Sequence, residues 1–140
     1  MTYISNSAEE TYNWARSMAS LANPGDIFCL SGGLGCGKTV FAKGFGAGLG
    51  ITSEITSPTF TIINVYDSPA QKMPLYHFDV YRIIDPAGMD DTGYEDFFYG
   101  DGVCLIEWAE IIKEMIPDTA RWITLEKDLA ISDSYRTITY

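Results

Sequence analysis

Residues 32–39 read Gly-Gly-Leu-Gly-Cys-Gly-Lys-Thr and match the pattern G-x-x-x-x-G-K-[ST] at every position. Few eight-residue stretches restrict a fold as tightly. Glycines let backbone N–H groups turn inward without Cβ clashes, so that they surround phosphate oxygens. The cradle needs a strand that delivers the chain and a helix whose positive end faces the same phosphates. Both flanks comply: the apolar run DIFCL (26–30) precedes the loop, and TVFAKGFGAGLG (39–50) follows it with Val40, Phe41 and Phe45 available for packing. The rival reading, a glycine-rich linker, explains neither the strand nor the lysine–threonine pair. Gly44, Gly46 and Gly48 are each expected to weaken the helix by up to about 1 kcal/mol relative to alanine. Gly50 suits its C-terminal stop.

The pattern assigns roles by residue type. Gly33, Leu34, Gly35, Cys36, Gly37 and Val40 are expected along the bound nucleotide. Lys38 reaches the β and γ phosphates as a mobile charge, and the Thr39 hydroxyl ligates Mg2+. Such a loop needs a magnesium-handling acid at the end of a neighbouring strand. LYHFD ends in Asp79 and VCLIE ends in Glu107, and the choice between them as direct metal ligand stays open. A carboxylate there holds the metal, holds its waters, or orients an attacking water. Thr59, within SPTF, is the candidate for sensing the γ phosphate; a strand-initiating threonine after a turn proline is the plain alternative. No Asn/Thr-Lys-x-Asp segment marks a guanine pocket, so ATP is the expected nucleotide.

Around the loop, Ser7 with Glu10 forms a capping box ahead of Ala8, Tyr12, Ala15, Met18, Ala19 and Ala22 at helical spacing. Asn23-Pro24-Gly25 stops that helix. Residues 59–66 and 73–83 read as an antiparallel strand pair around the turn DSPAQK, and 103–108 as a further buried strand. AEIIKEMI (109–116) is expected to be a short helix ended by Pro117, with RWITLEK and YRTITY as closing strands. Residues 85–101 carry six acids among seventeen residues, which reads as a solvated face or, with Phe97, Phe98 and Tyr99, as a protein-docking surface. His77 is read as a structural histidine of a strand.

The whole of 1–140 is expected to be one α/β domain of P-loop NTPase type, a mixed sheet flanked by helices with antiparallel additions. Its net charge of −10 opposes direct binding to nucleic acid and to anionic membranes. No basic leader precedes the first helix, and no apolar run is long enough to span a bilayer. Three cysteines in no CxxC pattern point to a reducing, cytoplasmic setting.

Beyond the loop, SPTFT (57–61), YHFDVYR (76–82), YEDFF (94–98) and LIEWAE (105–110) follow in an order that resembles the TsaE family, older name YjeE. These are bacterial ATPases of tRNA N6-threonylcarbamoyladenosine (t6A) modification. The resemblance implies that Thr39 and Glu107 coordinate magnesium, that Asp79 is the Walker B acid, and that Thr59 is switch-like. It implies that Trp108 lies close to the site and that Ser5 lies where the adenine is contacted. It also implies two partners, TsaB and TsaD, which make the modification from threonylcarbamoyl-adenylate and which ATP hydrolysis resets; tRNA is met only through that complex. The family's loop usually reads Gly-Asp-Leu-Gly-Ala-Gly-Lys-Thr, so Gly33 and Cys36 depart from it, as does Val40, where a second threonine is common. A reactive Cys36 thiol at the helix start would block the cradle on alkylation; a small residue standing in for alanine is the alternative. Two other functions fit the loop: a small-molecule kinase, disfavoured because the four arginines are too scattered to build a lid, and a nucleotide-gated binding module.

Overall fold

A computed structural model describes residues 1–33, 35–56, 58, 62–83 and 86–140, excluding the side chain of Pro86. Seven strands form one sheet in the order β1-β7-β6-β2-β5-β4-β3. They are β1 (Thr2–Ser5), β2 (Ile27–Ser31), β3 (Ile63–Tyr66), β4 (Leu75–Asp79), β5 (Val103–Glu107), β6 (Arg121–Lys127) and β7 (Arg136–Thr139). The central strands β6, β2, β5 and β4 run parallel, while β3, β7 and β1 add antiparallel edges. The expected mixed sheet is therefore the observed one.

The helices cover its two faces unequally. Helices α1 (Ala8–Ala19) and α2 (Lys38–Gly48) lie together on one face. They enclose Phe28 and Leu30 of β2, Leu75 of β4, and Leu105 of β5. The other face carries Cys29, Phe78, Cys104 and Ile106, roofed by Met89, by Phe98 of α3 (Tyr94–Phe98) and by Ile112. Period-two alternation along each strand separates the two cores.

Ser7 caps α1 as expected, its hydroxyl accepting from the Glu10 N–H at 3.1 Å. The return bond of the box runs from the Asn6 N–H to the Glu10 carboxylate. Three elements differ from the sequence reading. β1 has no signature of its own and exists because β7 offers a partner, pairing Ser5 with Arg136. Residues 109–115 wind as a 3-10 segment kinked at Ile112, not as a regular helix. In the acidic stretch, 86–89 and α3 bury Met89 and Phe98 while Asp90, Asp91, Glu95, Asp96 and Asp101 stay exposed. That stretch is thus a roof on the second core with a charged outer surface. Among the described residues no helix is long and apolar enough to cross a membrane.

Candidate functional site

Parallel strands bring their carboxyl ends to one edge, and in open α/β sheets ligands bind just outside that edge. Here β2 runs into the glycine loop, and Asp79 and Glu107 end β4 and β5 directly opposite each other. Asp79 and Glu107 share with Lys38, Thr39, Val40, Trp108, Tyr81 and Arg136 a cleft of about 450 Å3 floored by Gly35, Cys36 and Gly37. A second cavity of about 220 Å3, bounded by Ala8, Thr11, Asp133 and Ser134, shares Gly37, Val40 and Arg136 with it.

Gly37 explains the loop's composition. It begins α2 with φ +101°, in the left-handed region that side chains rarely adopt. Gly33 differs: its φ is not positive and an added Cβ would meet nothing within 4 Å. Backbone geometry therefore does not require glycine at this departure. Cys36, the other departure, is 2% exposed and packs into the core beneath α2.

Lys38 folds back on its own loop. Its ammonium donates to the carbonyls of Gly32 at 2.6 Å and Gly33 at 3.1 Å. It also sits 3.5 Å from the centroid of the Trp108 ring, a cation–π arrangement. Trp108 has φ 61°, the only non-glycine positive φ among the described residues. Such a backbone costs about 1–3 kcal/mol and persists where surroundings enforce it, often at functional sites. Tyr81 packs on the same indole, ring centroids 4.7 Å apart. Thr39 is exposed at the cleft wall.

The acids differ in surroundings. Asp79 is half-buried and accepts from the Tyr81 N–H at 3.1 Å. Burial raises its carboxyl above the ordinary range and Glu107 adds to the rise, against the Tyr81 N–H, His77 and Lys38. Glu107 is 3% exposed, and its Oε2 lies 2.6 Å from His77 Nε2. The other ring nitrogen, Nδ1, is buried with no partner among the described residues. His77 is thus tied to a site carboxylate, more than a structural residue of its strand. Its position two residues before Asp79 on one strand was a sequence signal for this, since i and i+2 share a face.

Two further residues escaped the sequence reading. Burial raises the Glu110 carboxyl, opposed by the Lys38 ammonium, its own N–H and the Gly32 N–H. Glu110 therefore sits within electrostatic reach of the loop lysine. Arg136 donates to the carbonyls of Cys36 and Gly35; nothing in its local sequence marks it. Ser5 does not line the cleft: its buried hydroxyl donates to the Ser7 carbonyl and lies 2.7 Å from the Thr11 hydroxyl, and Thr11 borders the second cavity. Leu34 and Thr59 lie outside the described residues.

The family model for TsaE, threonylcarbamoyl adenosine biosynthesis protein TsaE, matches residues 5–137. The chain belongs to the TsaE family. A TsaE of Bacillus subtilis, a tRNA threonylcarbamoyladenosine biosynthesis protein, is 46% identical over 132 residues, covering 94% of this chain and 79% of its own. The TsaE of Treponema pallidum, bearing the same description, is 40% identical over 139 residues, covering 99% and 98%. The crystal structure of Bacillus subtilis YdiB superposes with a TM-score of 0.82 at 40% identity, covering 99% of this chain and 82% of that one. The TsaE fold is of the P-loop nucleotide-binding kind, and the glycine loop and the parallel strands described above are its parts in this chain.

Proposed function

We propose that residues 1–140 act as one ATPase domain, binding and hydrolysing ATP with Mg2+ in support of t6A modification of tRNA through TsaB and TsaD. The observation that carries this reading is the convergence of Lys38, Thr39, Asp79 and Glu107 on one cleft outside the parallel strands. The Lys38 ammonium rests on two loop carbonyls, neutral acceptors that bind a cation less strongly than phosphate oxygens do. The adjoining cavity beside Gly37 and Val40 suits the base, reached from the α1 side where Thr11 and Ser5 meet. Cytoplasmic location follows from the tRNA role.

The donor set fits magnesium. Mg2+ prefers oxygen ligands and keeps waters, so one or two carboxylates, a hydroxyl and the nucleotide's own phosphates suffice. No group of three or more His, Cys, Asp or Glu that could hold a metal occurs among the described residues. Thr39 with Asp79 or Glu107 would hold the ion, which when bound neutralises charge on the transferring phosphate. Lys38 binds the β and γ phosphates, and the loop N–H groups orient them. Glu107, whose Oε2 lies 2.6 Å from His77 Nε2, would hold the attacking water or a water of the metal shell. Among the described residues Arg136 is the arginine that lines the cleft, and its four hydrogen bonds all go to backbone carbonyls. The intrinsic rate is therefore expected to be low and raised by partners.

Calorimetric titration of Mg-ATP into the wild type and Lys38→Ala tests the binding half. Saturable binding is expected for the wild type and loss by tenfold or more, about 1.4 kcal/mol, for the variant. Equal affinity would overturn the assignment. A Glu107→Ala variant that binds ATP, supports one round of modification and fails at further rounds would set hydrolysis, and not nucleotide-gated docking, as the function.

A further inference from the structure

Arg136 opens β7 at the wall between the two cavities. Its Nε donates to the Cys36 carbonyl at 2.9 Å and its Nη2 to the Gly35 carbonyl at 3.1 Å, both about a hundred residues away in sequence. Its Nη1 donates to the carbonyls of Asp133 at 2.8 Å and Tyr135 at 2.7 Å. The guanidinium is thus spread over four backbone oxygens. Among the described residues no carboxylate lies within ion-pair distance of it, in a chain of net charge −10.

We propose that Arg136 is a positioning residue for nucleotide binding: it holds the outer carbonyls of the glycine loop so that the inner N–H groups face the phosphates. The proposal rests on the nucleotide-binding reading above. A planar trans peptide points its C=O and N–H in opposite directions. With the Gly35 and Cys36 carbonyls tied to the guanidinium, the N–H groups of Cys36 and Gly37 turn to the loop's interior. The Cys36 N–H makes a long 3.4 Å turn bond to the Gly33 carbonyl, which a phosphate oxygen would have to replace as acceptor. The brace is rigid because β7 is paired on both sides, Arg136 opposite Lys127 of β6 and Ser5 of β1. The guanidinium fork holds four carbonyls from three nitrogens; an ammonium, with three donors on one atom, cannot keep the two loop carbonyls and both anchors at Asp133 and Tyr135.

The test is calorimetric titration of ATP, and separately of inorganic tripolyphosphate, into the wild type, Arg136→Gln and Arg136→Lys, with melting temperatures recorded alongside. Arg136→Gln is expected to weaken both probes by the same factor, about tenfold or more, while its melting temperature stays within a few degrees of the wild type. Arg136→Lys is expected to fall equally, because charge without the fork does not hold the loop. The proposal is overturned by ATP affinity within twofold of wild type in Arg136→Gln, by a loss confined to ATP, or by full rescue in Arg136→Lys. Should Arg136→Gln not fold, Arg136→Lys alone decides by the same criterion. A wild type that binds neither probe fails the nucleotide reading itself, a result separate from a variant that binds normally.

Discussion

Asp79 is held in its cleft against the preference of its own carboxylate. Burial raises its carboxyl above the ordinary range, and Glu107 adds to the rise. A raised carboxyl pKa means that the folded chain holds the proton more tightly than the unfolded chain. Ionised Asp79 therefore costs stability at neutral pH, and the cost disappears once both states are protonated. Asp79→Asn in magnesium-free buffer is expected to melt above the wild type at pH 7, with the gap closing as pH falls below the ordinary aspartate range. A variant that melts lower at pH 7 would contradict this account. The same variant should lose ATP turnover, the usual trade of stability for function. The cysteines point the other way, to inertness. Burial pushes the Cys29 and Cys104 thiols up to about 12, and Cys36 is buried with them. Native protein treated with a thiol reagent should label no faster than it unfolds; rapid labelling of Cys36 that ATP prevents would restore a thiol at the cradle. Lys38, Asp79 and Glu107 were legible in sequence because their spacing from glycines and apolar runs is local. Arg136 and the His77–Glu107 pair were not, because sheet order, and not spacing, brings them to the loop.

At the scale of elements, the glycines of α2 have a packing reason that helix propensity hides. A Cβ on Gly44 would land on the Tyr12 carbonyl oxygen, and one on Gly48 would lie 2.5 Å from the Arg16 carbonyl oxygen and 2.7 Å from the Ala19 Cβ. Four residues apart, these two glycines form the groove in which the α1 backbone rests. Alanine would gain about 1 kcal/mol of propensity but force the helices apart. Gly44→Ala is expected to destabilise the fold by about 1–3 kcal/mol in denaturant titration; a stabilised variant would show that α1 packs elsewhere. The sequence reading counted these glycines as a weakness because the crossing is tertiary. It missed β1 for the same reason, since a four-residue edge strand takes its shape from β7. The central strands were readable because burial on both faces leaves them continuously apolar.

Across the whole molecule, the acidic surface and the basic loop divide the labour. Nine basic residues against nineteen acidic ones oppose direct neutralisation of a tRNA backbone, and Lys38 and Arg136 at the cleft donate to loop carbonyls. The isolated chain is expected to give no salt-sensitive tRNA binding in fluorescence anisotropy at physiological ionic strength; tight binding that weakens steeply with salt would contradict indirect action through TsaB and TsaD. The fold as a whole was legible because a P-loop demands a parallel sheet around it, whereas the 3-10 path of residues 109–115 starts from the left-handed backbone of Trp108, which no local composition announces. The most direct test of the account is ATP turnover by the purified chain, alone and with its TsaB and TsaD counterparts, with Lys38→Ala as control. The account predicts slow turnover alone, strong stimulation by the partners, and loss of both in the variant. No turnover in a verified partner complex that binds ATP would contradict it.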